Sequence, residues 1–226
     1  MSEKVGAIIV AAGESRRMEG TDKVFALLDG ESVIVRVTRV FQQCPLIDRI
    51  VVVVTGGREE HCRRLVPEAE WDKVEDICAG GEWRQDSVAA GLKRLGKCEW
   101  VVIHDGARPL VTADLIERGL ETARETGAAA AAVPVTDTIK VVGDDRIVQH
   151  TPSRSHLWAV QTPQVFRYDI IAEAYRQASG EVTDDASLVE QMGHRVKLYM
   201  GSHDNIKITT PDDLVLAEVL LRRQRG

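Results

Sequence analysis

The sequence predicts an α/β protein with one open, mainly parallel sheet and helices on both faces, and three observations carry that prediction. Short β-branched runs alternate with segments of helical period along most of the chain. Two of those runs, residues 5–12 and the four valines within 49–55, are apolar throughout, as strands buried on both faces must be. The 226 residues, 44% hydrophobic and 28% charged, are enough to bury a core without disulfides.

Residues 5–12 make the first strand. Over 32–43, Val33, Ile34, Val37, Val40 and Phe41 share one helical stripe. A strand over 49–55 ends at Gly56-Gly57, and a short helix follows near 59–65. Residues 74–79 read as a strand, 85–95 as a helix with Val88, Leu92 and Leu95 inward, 100–104 as a strand and 114–126 as a helix. The alanine-rich stretch 128–135 has no decisive period, but Gly127 and Pro134 bound it as a strand. At Thr138 the alternation breaks. Residues 138–142, the turn Gly143-Asp144-Asp145 and residues 146–150 read as a hairpin too small for its own core, so a partner subunit is expected to cover it. Residues 157–160 follow, then helices over 169–179 and 184–192 and a strand over 195–200. Thr210, Pro211, Asp212 and Asp213 mark the start of the last helix as cap, first position and acidic first turn. The expected whole is a single Rossmann-like domain, residues 1–226, with a protruding β-arm at about 136–156 and ligands at the carboxyl ends of the strands.

Charge and composition exclude several functions. With 29 Lys+Arg against 35 Asp+Glu, the net charge of -6 argues against nucleic-acid binding, and 4% aromatic residues leave few stacking platforms. Cys44, Cys62, Cys78 and Cys98 include no Cys-x-x-Cys pair, the pattern of reduced thiols rather than a zinc site or a disulfide scaffold. No run is apolar enough for a membrane span or a signal peptide, so a cytoplasmic, unanchored protein is expected.

Four segments could carry chemistry. Ala11-Ala12-Gly13, followed by Arg16, Arg17 and Lys23, combines a small-residue turn with cations suited to a polyphosphate, although a solvated basic loop would look the same. It matches neither the dinucleotide-binding glycine spacing nor a P-loop. Asp105, in His104-Asp105-Gly106-Ala107-Arg108, ends a buried strand where a carboxylate can bind a ribose hydroxyl or a metal ion, or simply cap a turn; His104 reads as packing or support. Gly80-Gly81-Glu82 and Ser87 form a glycine turn opening a helix, able to read a base edge or only to cap. Lys207 stands between apolar neighbours, a pattern usually explained by a snorkelling surface lysine. Thr183-Asp184-Asp185 and Ser153-Arg154-Ser155 read as loop and cap residues.

Taken in order, these segments resemble the family of cytidylyltransferases that act on sugar-alcohol phosphates, over almost the whole chain. The resemblance implies CTP and 2-C-methyl-D-erythritol 4-phosphate as substrates, Mg2+ held on substrate phosphates rather than in a protein cage, and a homodimer joined through the arm. It also implies roles. Ala11, Ala12 and Gly13 would form the nucleotide loop, with Arg17 and Lys23 on the triphosphate. Gly81, Glu82 and Ser87 would select cytosine and hold ribose, and Asp105 and Gly106 would serve ribose and substrate. Arg108, Thr138, Arg154, Thr162, Thr183 and Lys207 would surround the sugar-alcohol phosphate, Thr138 and Arg154 from the neighbouring subunit. The chain departs from the family pattern in three places: Val10 replaces a frequent Pro, Asp22 and Val24 replace Pro and Gln around Lys23, and Gly106 replaces Ala, which is expected to loosen that turn. Two alternatives share the nucleotide half, a ribitol 5-phosphate cytidylyltransferase and a non-catalytic nucleotide-binding homologue; the latter is expected to lose Arg17, Lys23 or Lys207, and all three are present.

Overall fold

The computed structural model describes residues 3–13, 22–69, 71–178 and 182–225. In chain order the elements are β1 (Val5–Ala11), a small hairpin of β2 (Leu27–Leu28) and β3 (Glu31–Ser32), α1 (Val33–Gln43), β4 (Arg49–Val54), α2 (Glu59–Ala69), β5 (Val74–Ala79), α3 (Arg84–Leu95), β6 (Trp100–Asp105), α4 (Ala113–Thr126) and β7 (Ala128–Pro134). There follow the arm strands β8 (Val141–Val142) and β9 (Val148–His150), a 3-10 turn (Arg154–His156), β10 (Trp158–Arg167), α5 (Tyr168–Gln177), α6 (Asp185–Gln191), β11 (Lys197–Met200) and α7 (Pro211–Arg225).

Seven strands form the central sheet in the order β11-β7-β10-β6-β1-β4-β5. All neighbours are parallel except β10, which runs antiparallel between β6 and β7. Because side chains alternate along a strand, the apolar runs feed two cores. Ala7, Ile9, Ile50, Val52 and Val54 face Ile34, Val37, Phe41, Leu115 and Leu120 of α1 and α4. Ile8, Val51, Val53, Val101 and Ile103 face Val88, Leu92, Ile170 and Val189 of α3, α5 and α6. The alanine-rich segment is a strand, with Ala128 to Ala132 fully buried.

β10 is the main departure from the sequence-based expectation, which ended it at residue 160. It continues to Arg167 through an irregular register between Val160 and Gln164 that accommodates Pro163. Proline and the polar Gln161, Thr162 and Gln164 read as a loop in the sequence, and the bulge is what lets a proline sit inside a sheet. The arm is shorter in strand than expected, and it leaves Ile139, Ile147 and Val148 exposed. Among the described residues, no helix is long and apolar enough to cross a membrane.

Candidate active site at the carboxyl edge of the sheet

Strands β1, β5 and β6 end at one edge, and their next residues line a cavity of about 140 Å³. Its walls include Ala11, Ala12, Gly13, Lys23, Glu82, Ser87, Asp105 and Lys207. The turn after β5 approaches closely: a Cβ on Gly80 would lie 2.3 Å from Ala12 Cβ and 2.4 Å from Ser87 Oγ, so only glycine fits there. The Asp86 carboxylate accepts the Trp83 N–H at 3.0 Å, which leaves capping to Asp86 while Ser87 borders the cavity. The Lys23 ammonium sits 3.7 Å from where a Cβ would stand on Gly13.

A second cavity of about 450 Å³ adjoins the first. Asp105, Arg108, Thr162, Thr183 and Lys207 line it, with Gln161, Gln164, Asp184 and Val160 among their neighbours. Arg84, Asp105 and Lys207 belong to both walls. Lys207 is therefore no snorkelling surface residue. Its Nζ lies 2.9 Å from Asp105 Oδ2, and the Ile208 N–H bonded to Ala107 O at 2.8 Å pins its segment against the β6 turn. Asp105 Oδ1 also accepts from Arg84 Nε at 3.2 Å, and Arg108 Nε stands 3.5 Å from Oδ2. Burial alone would push the Asp105 carboxyl up, but Arg84, Lys207 and Arg108 outweigh it and hold it well below the usual carboxylate range.

Beneath this cluster, His104 is fully buried between two partners. Its Nε2 faces the Arg108 carbonyl at 3.2 Å, which can only accept, so Nε2 carries the proton and Nδ1 accepts from the Thr162 hydroxyl at 3.1 Å. Thr162 Oγ1 in turn accepts the Asp105 N–H at 3.0 Å. Thr162 thus lines the larger cavity with its donor directed to His104, which makes its part positional. Burial drives the His104 pKa down to about 4. Between pH 6.5 and about 4 the unfolded chain binds this proton and the folded chain does not, so stability from His104 rises with pH through that window and is lost on acidification. Urea unfolding at pH 7 and pH 4.5 should show wild type losing about 2 kcal/mol more than His104→Gln between those two pH values. Equal losses would contradict a neutral buried imidazole.

The structure also answers two departures noted in the sequence. Gly106 does not loosen the turn: its N–H bonds Val10 O at 2.7 Å, and a Cβ there would lie 2.9 Å from Ala11 Cβ. Asp22 turns its carboxylate toward Arg58, 3.9 Å away, and the Val24 N–H, while Val24 enters the core beneath the loop. Gly81 and Gly106 adjoin the cavities without lining them. Thr138 and Arg154 lie exposed on or beside the arm and line neither cavity, with Arg154 donating to Thr136 O at 2.7 Å. Arg17 lies outside the described residues.

Sequence reasoning missed Arg84, Asp185 and Tyr175. Arg84 donates to Asp185 Oδ2 at 2.7 Å, and the Tyr175 hydroxyl donates to Asp185 Oδ1 at 2.5 Å. The available signal was Arg84 itself, a cation in the first turn of a helix, where the dipole disfavours positive charge. A further concavity, of about 840 Å³, lies between α3 and α5 beside Lys97, Cys98 and Tyr168, at the opposite end of β6 from Asp105.

The family model described as 2-C-methyl-D-erythritol 4-phosphate cytidylyltransferase matches residues 5–223. A protein of that name from Dehalococcoides mccartyi is 52% identical over 225 residues, covering 100% of this chain and 99% of the relative. Another, from Caldanaerobacter subterraneus, is 47% identical over 225 residues, covering 97% and 99%. The crystal structure of 4-diphosphocytidyl-2C-methyl-D-erythritol synthase from Anaerococcus prevotii is similar with a TM-score of 0.87 at 30% identity, covering 98% of this chain and 97% of that one.

Proposed function

The chain belongs to the 2-C-methyl-D-erythritol 4-phosphate cytidylyltransferase family, and from that premise we propose how its edge cavities perform the reaction. The enzyme joins CTP and 2-C-methyl-D-erythritol 4-phosphate to give 4-diphosphocytidyl-2-C-methyl-D-erythritol and pyrophosphate, in the non-mevalonate isoprenoid pathway. The smaller cavity takes the nucleotide, with Ala11, Ala12 and Gly13 against the phosphates and Gly81, Glu82 and Ser87 toward base and ribose. The larger cavity takes the polyol phosphate, among Arg108, Thr162 and Thr183. The observation that carries this reading is the wall common to both, where Asp105 and Lys207 meet.

A phosphate oxygen of the acceptor attacks the α-phosphorus of CTP. The new P–O bond forms as the α–β bridging bond breaks, and pyrophosphate leaves with that electron pair. A phosphate monoester, with its second pKa near ~6, is already mostly dianionic at neutral pH, so no strong general base is required. The obstacle is repulsion between two polyanions, and catalysis is positioning with electrostatic stabilisation. Lys23 and Arg17 neutralise the β- and γ-phosphates and the leaving pyrophosphate. Lys207 and the Arg154 of a neighbouring subunit hold the incoming phosphate, and Thr138 accompanies Arg154 on the arm. A divalent cation, Mg2+, would supply further charge neutralisation on the phosphate oxygens. Among the described residues, Asp105 is the one carboxylate on the wall common to both cavities and no group of three potential ligands converges, so the donor set suits a metal carried on the triphosphate. The same reading has the enzyme working in the cytoplasm with reduced thiols, among them buried Cys44, Cys62 and Cys78.

The test is Mg2+-dependent pyrophosphate release from CTP with methylerythritol phosphate and ribitol 5-phosphate offered separately. Release only with methylerythritol phosphate is expected. Release only with ribitol phosphate would overturn the acceptor assignment and leave the nucleotide half standing.

A further inference from the structure

We propose that Arg84 is a further cation of the transfer site, and that Asp185 and Tyr175 are positioning residues that aim it. The proposal rests on the reading that transfer occurs where the two cavities meet. Arg84 opens α3, where the helix dipole works against a positive charge, so some other interaction must hold it there. Two carboxylates do so. Nε donates to Asp105 at 3.2 Å and a terminal nitrogen donates to Asp185 at 2.7 Å. These contacts use two of the five N–H donors of a guanidinium, and the side chain borders both cavities. Although burial disfavours the charge on Arg84, Asp185 and Asp105 outweigh it and keep the group charged.

Asp185 is fully buried, and each of its oxygens is engaged by a protein donor, Arg84 on one and Tyr175 on the other. A buried carboxylate so placed is an anchor rather than a ligand for substrate. Burying charge is costly, and a pair kept only for stability could be replaced by apolar side chains. Here the anchored cation is left a quarter exposed, 26%, at the wall between two cavities. Together with Lys207 and Arg108 it surrounds Asp105 with three cations. Against the two carboxylates Asp105 and Asp185 these three cations leave one net positive charge, which suits the point where two phosphates approach each other.

Arg84→Ala is the test, made in the full chain and checked for folding by circular dichroism. Because it strands the Asp185 charge, the double variant Arg84→Ala with Asp185→Asn is measured beside it. The expected result is a fall in kcat on the order of 10²–10³, with CTP affinity by equilibrium titration changed less than about threefold. Millimolar guanidinium should restore at least about tenfold of the lost rate in Arg84→Ala, and Arg84→Lys, which keeps the charge without the fork, should stay impaired. Tyr175→Phe should lower kcat about three- to tenfold with both KM values unchanged, a split that a purely structural loss would not give. If wild type releases pyrophosphate while both folded Arg84 variants keep kcat within about threefold of it, the proposal is overturned. If wild type itself is silent, it is the reading of the reaction that fails.

Discussion

Lys207→Ala is expected to lower kcat by about 10²–10³-fold, or roughly 3–4 kcal/mol of transition-state stabilisation, in a protein that remains folded. The size follows from placement. Lys207 borders both cavities and pairs with Asp105, whose carboxylate stands at the end of a buried central strand. The lysine can therefore exchange Asp105 for a phosphate oxygen without moving its backbone, which Ile208 holds against Ala107. Folding should survive because Arg84 and Arg108 remain beside Asp105. Steady-state rates with circular dichroism decide the matter, and a folded variant turning over at the wild-type rate would remove Lys207 from the mechanism.

Mixing two inactive variants should restore activity if the arm completes a neighbour's site. Arg154 and Thr138 are exposed in one chain and line neither of the cavities they are proposed to serve. The hairpin beside them displays Ile139, Ile147 and Val148, and a two-stranded hairpin with exposed apolar side chains needs cover. Suppose Arg154→Ala and Lys207→Ala chains exchange freely in equal amounts. Half of the dimers are then mixed, and in each mixed dimer one site regains both residues, so about a quarter of wild-type activity returns. Activity that stays at the level of the separate variants at every mixing ratio would place Arg154 in its own chain's site or outside the chemistry.

The parts of the fold legible in the sequence are those where one residue pattern has one physical outcome. The valines of β4 cannot face water on either side, and Pro211 with its acidic neighbours can only begin a helix. β10 was cut short because Pro163 and three polar residues carry a loop's local signature, and only the neighbouring strands show that a bulge absorbs them. Asp105 and Lys207 were legible through ordered motifs resembling a known family, although Lys207 alone looked like a surface residue. Arg84, Asp185 and Tyr175 were not. Arg84 and Asp185 lie 101 positions apart, and Asp185 had an adequate local explanation as a loop or cap residue. Their connection exists only once α3, α5 and α6 pack on the same face of the sheet. Gly106 shows the reverse case, a residue read as slack in the sequence that the structure packs closely against Ala11.

The central claim is that nucleotide and polyol phosphate occupy separate cavities and meet at Asp105 and Lys207. A crystal structure with bound 4-diphosphocytidyl-2-C-methyl-D-erythritol tests it most directly. The expected density places cytosine beside Gly81 and Ser87, the polyol beside Arg108 and Thr183, and the diphosphate within hydrogen-bonding distance of Lys207. Product lying wholly within one cavity, or a diphosphate that does not touch Lys207, would contradict it.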